Sequence, residues 1–490
     1  MSEIEQRLEE LEQLGLARRL RLVSGPQGPT VLIDGKPALL LCSNNYLGLA
    51  DHPRVREAAA DAAMRWGVGA GASRLVSGTM TIHRRLEERL ADFEGSEACL
   101  LFGSGYLANI GAIGALAGRG DTVFSDELNH ASIVDGCRLS RAEVVVYRHR
   151  DVEHLDWSMR RHGRRDGTAR RLIVTDSVFS MDGDVAPLEA IAELADIHDS
   201  SVLVDEAHAT GNLGPGGRGA VAEAGLEGQI DVVVGTLGKA LGSYGAYVCA
   251  SAEMIRYLIN TARPLIYSTA PSPPAVAGAL AALTLLRERP HRVQRLRSNA
   301  RVLRRALADE GFPVADTEMQ IVPLIVGEED VAMSLCQEAL ERGVFAQGIR
   351  PPTVPAGSSR LRLTAMASHT ASELQKAAKV FGAAARSIGL EPGSLAPAQA
   401  EREAASIERE LAYVELSTAA RVRVDANVSA AAPFDLERDG NDAQVPAAEA
   451  APAAAELERA VEAPSSAVPA FAESSAPFDF ESELDSVRAA

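Results

Sequence analysis

The chain has 490 residues, of which 46% are hydrophobic, and its formal net charge is −18. This length allows two or three domains with a large buried core. The acidic balance argues against nucleic-acid binding, and no apolar run approaches the roughly 18 residues that a membrane-spanning helix requires.

The first 22 residues mix acids with leucines at helical spacing. They have no basic start, no apolar stretch and no small-residue cleavage site, so they predict an amphipathic helix and not an export signal. The five cysteines are scattered and form no C-x-x-C pair, which favours reduced thiols over disulfides or a zinc site. We therefore expect a cytoplasmic protein without a bound metal.

Between about residues 30 and 390, short apolar strands alternate with helical stretches. Strands are predicted at 98–102, 121–125, 143–147, 171–175, 201–205 and 231–235, and then near 320–326 and 360–364. Helices are predicted at 54–66, 107–116 and 188–200, and a long Arg- and Leu-rich helix at 287–311. Continuous apolar strands that alternate with helices predict an α/β fold with a mostly parallel sheet, covered by helices on both faces.

This pattern predicts four parts. They are an N-terminal helix and arm (1–45), a large domain (46–287), a smaller C-terminal α/β domain (288–390) and a tail (391–490).

The predicted tail carries 20 acidic residues, 7 arginines and no lysine, and it is rich in Ala and Pro. Such a composition cannot bury enough apolar surface to fold, so we expect disorder. The hexapeptide at 432–437 (APFDLE) is nearly repeated at 476–481 (APFDFE). It is either chance similarity in a low-complexity segment or a docking peptide for a protein partner.

Three features on successive predicted strands point to chemistry. Asp205 ends one strand and His208 follows it, while Lys239 lies in a Gly-rich turn after the next strand. Ligands bind at the carboxyl ends of strands in open α/β sheets, and a desolvated lysine there has the lowered pKa that a Schiff-base amine needs. Gly103–Tyr106 forms a Gly-rich turn before a helix, where free backbone N–H groups can bind a phosphate.

Over roughly residues 15–390 the chain resembles the α-oxoamine synthases, a branch of the fold-type-I pyridoxal-phosphate (PLP) enzymes. The stretches that carry the resemblance are SNNYLGL (43–49), GAGASR (69–74), NHAS (129–132), VFSMDGD (178–184), DEAH (205–208), TLGK (236–239) and RPPTVP (350–355).

The resemblance implies a role for each matching residue. Lys239 would carry PLP as a Schiff base and transfer protons, and Asp205 would pair with the pyridine nitrogen. His208 would hydrogen-bond the phenolic oxygen of the PLP ring, and His130 would stack on the face of that ring. The remaining implied cofactor residues are Ser180, which would position cofactor or substrate, and Gly105, Tyr106 and Thr236, which would hold the phosphate.

Substrate contacts are implied as well. They would come from Asn45, Arg350, Thr353 and an N-terminal arginine, either Arg19 or Arg21. The family also implies a homodimer.

The implied reaction is a decarboxylative condensation of an amino acid with an acyl thioester. The stretch 350–355 favours the branch that joins L-alanine to pimeloyl-CoA or a pimeloyl-acyl-carrier protein, giving 8-amino-7-oxononanoate for biotin synthesis. Two alternatives stay open. One is a glycine C-acetyltransferase activity, and the other is a non-catalytic scaffold that recruits partners through its tail, although a scaffold has no need of Asp205, His208 and Lys239 together.

The sequence departs from the family pattern at two positions. Asp176 stands where glutamate is common, which shortens the side chain by one methylene. Ala72 stands where a third glycine is common, and its methyl group slightly narrows the space through which other groups can approach this segment.

Overall fold

The structure is a computed structural model that describes residues 2–13, 15–162 and 169–395. These residues all belong to one unit, Met1–Thr418. The predicted disorder of the tail and its two hexapeptides fall almost entirely outside the described residues. No helix in the described ranges is long and apolar enough to cross a membrane.

The helices are α1 Glu3–Gln13, α2 Pro53–Trp66, α3 Thr81–Glu94, α4 Gly105–Leu116, α5 Ala131–Ser140, α6 Val152–Arg161, α7 Leu188–Ile197, α8 Ala220–Glu223, α9 Ala252–Thr261, α10 Arg263–Ile266, α11 Pro273–Glu288, α12 His291–Asp309, α13 Glu329–Glu341 and α14 Ala371–Ser387. The strands are β1 Val23–Ser24, β2 Thr30–Ile33, β3 Lys36–Leu40, β4 Ala98–Phe102, β5 Thr122–Asp126, β6 Glu143–Tyr147, β7 Arg171–Asp176, β8 Ser201–Asp205, β9 Val232–Thr236, β10 Ala246–Ala250, β11 Ile321–Gly327, β12 Val344–Phe345, β13 Gln347–Ile349 and β14 Ser359–Thr364.

A seven-stranded sheet in the order β4-β10-β9-β8-β7-β5-β6 forms the centre of the fold. Strands β5 to β9 pair in parallel, whereas β10 runs antiparallel to both of its neighbours. Val123 and Phe124 of β5 are both fully buried but belong to different apolar clusters. The sheet is therefore covered on both faces, and the predicted α/β class is confirmed.

The C-terminal part contains a three-stranded antiparallel sheet, β11-β14-β13. A further sheet, β1-β2-β3-β12, joins the N-terminal arm to this part, because β12 pairs in parallel with β3. The division predicted at residues 45, 287 and 390 stays a prediction.

Two predicted helices were too long. The N-terminal helix ends at Gln13, and Gly15 has a φ of +66°, a conformation that ends helices. The helix predicted over 287–311 is two helices, because Pro290 lacks the N–H that a continuous helix needs and instead precedes α12.

A glycine and a tyrosine share one site in the central sheet. Gly235 on β9 lies opposite Tyr247 on β10. A Cβ at Gly235 would lie 2.1 Å from Cζ of Tyr247, and the Tyr247 hydroxyl donates a 2.6 Å hydrogen bond to buried Glu94. Because Gly235 has no side chain, the Tyr247 ring can occupy this space. The site lies one residue before β9 ends at Thr236.

We predict that Gly235→Ala lowers the free energy of unfolding by about 1–3 kcal/mol, because the ring must move within a packed interior. Gly114→Ala is the matched control, since a Cβ on this exposed glycine of α4 would have no neighbour within 4 Å. It should be neutral or slightly stabilising. Urea unfolding measures both variants, and equal stabilities would contradict the steric explanation.

Candidate active site

The carboxyl ends of three neighbouring strands bring the site together. Asp176 ends β7, Asp205 ends β8 directly opposite it, and Lys239 follows β9 by three residues. Parallel strands place these ends at one edge of the sheet. Residues from distant parts of the sequence therefore meet there.

Lys239 is in direct contact with His208. The Lys239 Nζ lies 2.8 Å from His208 Nε2. Burial lowers the pKa of Lys239 to about 8, although the negative charges of Asp205 and Asp176 act in the opposite direction. The amine can therefore gain or lose a proton near neutral pH, as a proton-transfer group requires.

His208 lies between Lys239 and Tyr46. Its Nδ1 is 2.7 Å from the hydroxyl of Tyr46, which is fully buried. Burial, reinforced by the positive charge of Lys239, holds the pKa of His208 well below its usual value. The ring is thus neutral and does not repel the protonated lysine.

Asp205 is fixed by two hydrogen bonds. Its carboxylate accepts from the backbone N–H of Ala207 at 2.8 Å and from Asn109 Nδ2 at 2.6 Å. Asn109 is fully buried in α4, and its Oδ1 has no partner among the described residues. Asn109 lies in none of the predicted site motifs, although its position one turn after Gly105 places it on the same face of the helix.

The N-terminus of α4 is free to bind an anion. Ser104 caps the helix by accepting from Leu107 N at 3.2 Å. Gly105 and Tyr106 are the first two helical residues, whose N–H groups have no partner within a helix. The Tyr106 hydroxyl donates to Asp135, and Thr236 Oγ1 accepts from Gly238 N at 3.3 Å.

His130 and Ser180 lie on two loops that lead away from the sheet. The backbone N–H of His130 donates to Asp176 Oδ2 at 2.7 Å, so the shorter aspartate still reaches a partner. Burial and the charge of Asp205 raise the pKa of Asp176 well above its usual value. The carbonyl of Ser180 accepts a hydrogen bond from Arg362.

Arg362 also lies outside the predicted site motifs. It is 6% exposed, and its guanidinium donates to the Ser180 carbonyl, Asn44 Oδ1 and the Tyr46 hydroxyl. Within the described ranges this buried cation makes no ion pair with a carboxylate. Its charge lowers the pKa of Lys239 and of His208, which places it at the same site.

The predicted substrate residues lie mostly in a second group. Arg19, Arg21, Arg350 and Thr353 line one cavity of about 320 Å³. Arg19 is 79% exposed and lies 3.9 Å from Asp34, whereas Arg21 is 19% exposed and is held by Asp34 and Gln337.

Asn45 does not join either group through its amide. Its side chain donates to the Gln27 carbonyl and accepts from the N–H groups of Leu49 and Ala50. It holds the turn that carries Tyr46, and its predicted substrate contact stays a prediction.

Residues 36–381 match the family model for class I and II aminotransferases. A curated 8-amino-7-oxononanoate synthase from Geobacter sulfurreducens is 52% identical over 385 residues, which cover 78% of this chain and 98% of the relative. A solved structure of serine palmitoyltransferase with PLP has a TM-score of 0.75 and 35% identity, covering 79% of this chain and 98% of that one. An 8-amino-7-oxononanoate synthase from Francisella tularensis has a TM-score of 0.61 and 26% identity, covering 72% and 99%.

The fold and these matches define a PLP-dependent transferase of fold type I. The chain belongs to the class I and II aminotransferase family and, within it, to the α-oxoamine synthases. It is an acyltransferase similar to the 8-amino-7-oxononanoate synthases.

The residues of the site fit PLP. A carboxylate, a low-pKa amine and a helix N-terminus match the pyridine nitrogen, the aldehyde and the phosphate of this cofactor. Asn109 adds to the match, because its buried amide donates to Asp205 at 2.6 Å and to Ser132 Oγ at 2.9 Å and so fixes the carboxylate beside the loop of His130. Asp205, Lys239 and the start of α4 are the residues that would hold it.

We predict that PLP added to cofactor-free protein and fixed by borohydride labels Lys239 in preference to Lys36, Lys376 and Lys379, the other lysines of the chain. Labelling should become faster as the pH rises through about 8, because the neutral amine is the reactive form and burial lowers its pKa to that value. Peptide mass spectrometry measures the sites. Even labelling of all four lysines would contradict the assignment.

Proposed function

We propose that this enzyme condenses L-alanine with a pimeloyl thioester, either pimeloyl-CoA or a pimeloyl-acyl-carrier protein. The products would be 8-amino-7-oxononanoate, CO2 and the free thiol, as a step of biotin synthesis. The observation that carries the proposal is the 52% identity to a curated synthase of this name across nearly its whole length.

PLP, when bound, supplies the electron sink that stabilises negative charge on the α-carbon of the amino acid. Asp205 would keep a proton on the pyridine nitrogen through its negative charge, and the hydrogen bonds from Ala207 and Asn109 support the ionised carboxylate. Lys239 Nζ takes the proton from the α-carbon and later returns one. Its pKa of about 8 suits both directions.

His208 and Tyr46 orient the lysine. The 2.8 Å contact with His208 fixes Nζ, and the 2.7 Å contact with Tyr46 fixes the imidazole in turn. Because the imidazole is neutral, it can accept from the ammonium or donate to a neighbouring oxygen without adding charge.

We propose that Arg362 binds the α-carboxylate of the amino acid. A buried guanidinium that has only neutral partners is costly, and an anionic ligand would supply the missing charge. A guanidinium also matches a carboxylate with two parallel hydrogen bonds.

The cavity lined by Arg19, Arg21, Arg350 and Thr353 is proposed for the acid end of the acyl chain. Four arginines contribute to its walls, with Arg18 as the fourth, and Asp34 is the acid that pairs with two of them. The excess of positive charge favours a carboxylate ligand.

We also propose a homodimer in the cytoplasm. Met64, Val68, Leu75 and Val76 are more than half exposed, and burial of such apolar side chains would favour association with a second copy. Five free cysteines are consistent with a reducing compartment.

The test of the reaction is product identification by mass spectrometry. The holoenzyme is incubated with alanine, glycine or serine in combination with pimeloyl-, acetyl- or palmitoyl-CoA, and also with a pimeloyl-acyl-carrier protein. We expect 8-amino-7-oxononanoate from alanine with a pimeloyl thioester, and no product with Lys239→Ala. A dominant glycine and acetyl-CoA product would replace the proposal by glycine C-acetyltransferase, and PLP-free protein without products would favour a scaffold.

We predict that Arg362→Lys raises the KM for the amino acid about tenfold. Lysine keeps the positive charge but cannot make the bidentate pair of hydrogen bonds that a guanidinium makes to a carboxylate. Arg304→Lys is the matched control. Arg304 is equally buried and also donates to carbonyl oxygens, but these belong to Ala315, Met319 and Ile321. An equal rise of KM in both variants would show a general effect on the fold and count against a carboxylate contact.

A further inference from the structure

An imidazole outside the site joins two of its loops. His149 follows β6 by two residues and is 12% exposed. Its Nδ1 lies 2.9 Å from Asp126 Oδ1, and its Nε2 lies 2.9 Å from Asp184 Oδ2. Both ring nitrogens must carry a proton to donate to two carboxylates, so the ring is an imidazolium.

One end of this bridge holds the turn before His130. Asp126 ends β5, and its carboxylate also accepts from the backbone N–H of Leu128 and of Arg150, each at 2.9 Å. The turn from Asp126 leads directly into His130, the N-cap residue of α5. The turn that leads to His130 therefore begins at a carboxylate that His149 contacts.

The other end holds the loop that carries Ser180. The carbonyl of Asp184 accepts from Phe179 N at 3.0 Å, and Gly183 N donates to the Phe179 carbonyl at 2.8 Å, which closes the loop around Ser180. The Phe179 ring meets the His149 ring edge to face, with 4.3 Å between the ring centres. The same loop contacts the C-terminal part through the ion pair of Asp182 with Arg360.

Two cations, His149 and Arg150, face the two carboxylates of Asp126 and Asp184. Burial of the ring alone would lower its pKa, but the hydrogen bonds to Asp126 and Asp184 raise it to about 9. Arg150 adds a second cation, 3.4 Å from Asp184. The bridge is consequently charged at neutral pH, and loss of the imidazole would leave two acids facing each other.

We propose that His149 is a positioning residue, which fixes the separation of the loops carrying His130 and Ser180 and thereby the width of the PLP site. The inference rests on the proposed cofactor contacts of His130 and Ser180. It does not depend on which amino acid or thioester the enzyme uses.

The test compares His149→Phe with a matched control, His198→Phe. His198 is also 12% exposed and makes a 2.8 Å contact with a carboxylate, that of Asp156, but it lies at the C-terminal end of α7, outside both loops. PLP affinity is measured by absorbance titration of cofactor-free protein without substrate, together with thermal stability.

We expect His149→Phe to weaken PLP binding at least tenfold, and His198→Phe to change it less than twofold at a comparable loss of stability. His149→Gln, whose amide can still donate, should recover part of the affinity. Equal PLP affinities in the two phenylalanine variants would overturn the proposal. If His149→Phe does not fold, Asp184→Asn tests the same bridge and should weaken PLP binding in the same direction.

Because no substrate enters the titration, this outcome is independent of the proposed reaction. A wild-type protein that binds PLP but yields no product would refute the reaction and leave the role of His149 standing.

Discussion

The contact between Lys239 and His208 is the interaction on which the site depends. It places an amine in a buried environment beside a neutral ring, and burial then brings the pKa of the amine to about 8. The same amine on the surface would have a pKa of about 10.4, and a far smaller fraction of it would be neutral and able to act as a base near pH 7. The sheet makes this possible because β8 and β9 are neighbours and deliver His208 and Lys239 to the same edge.

Burying several carboxyl groups at this edge of the sheet removes them from water, and hydrogen bonds from backbone N–H groups offset much of that loss. Asp126, Asp176, Asp205 and Glu206 all follow or end parallel strands, and each accepts hydrogen bonds from backbone N–H groups of the adjoining turns. Glu206, for example, accepts from the backbone N–H groups of Ala220 and Val221 and so holds the start of α8. The acids at the strand ends thus include several that hold the loops, beside Asp205, which is proposed to pair with the cofactor.

Sequence analysis located the strands of the central sheet to within about one residue, because their β-branched residues and bounding turns are local signals. It missed β10, an antiparallel strand that the alternation of strands and helices does not predict. Asp205, His208 and Lys239 were recognised because each lies in a short motif. Asn109, Arg362 and His149 lie in no such motif, and their importance comes from partners 96, 182 and 35 positions away in the sequence. Contacts of this kind exist only once the chain has folded, so a local pattern could not reveal Arg362 or His149. For Asn109 the only local signal was its helical spacing from Gly105.

The pairing of β3 with β12 has a consequence for synthesis of the protein. The arm strand at Lys36–Leu40 leaves the ribosome early, but its partner at Val344–Phe345 follows about three hundred residues later. Until then the nascent chain exposes an unpaired strand edge, and such edges invite association with other chains. Completion of the fold must therefore wait for the C-terminal part, and contacts so distant in sequence are slow to form.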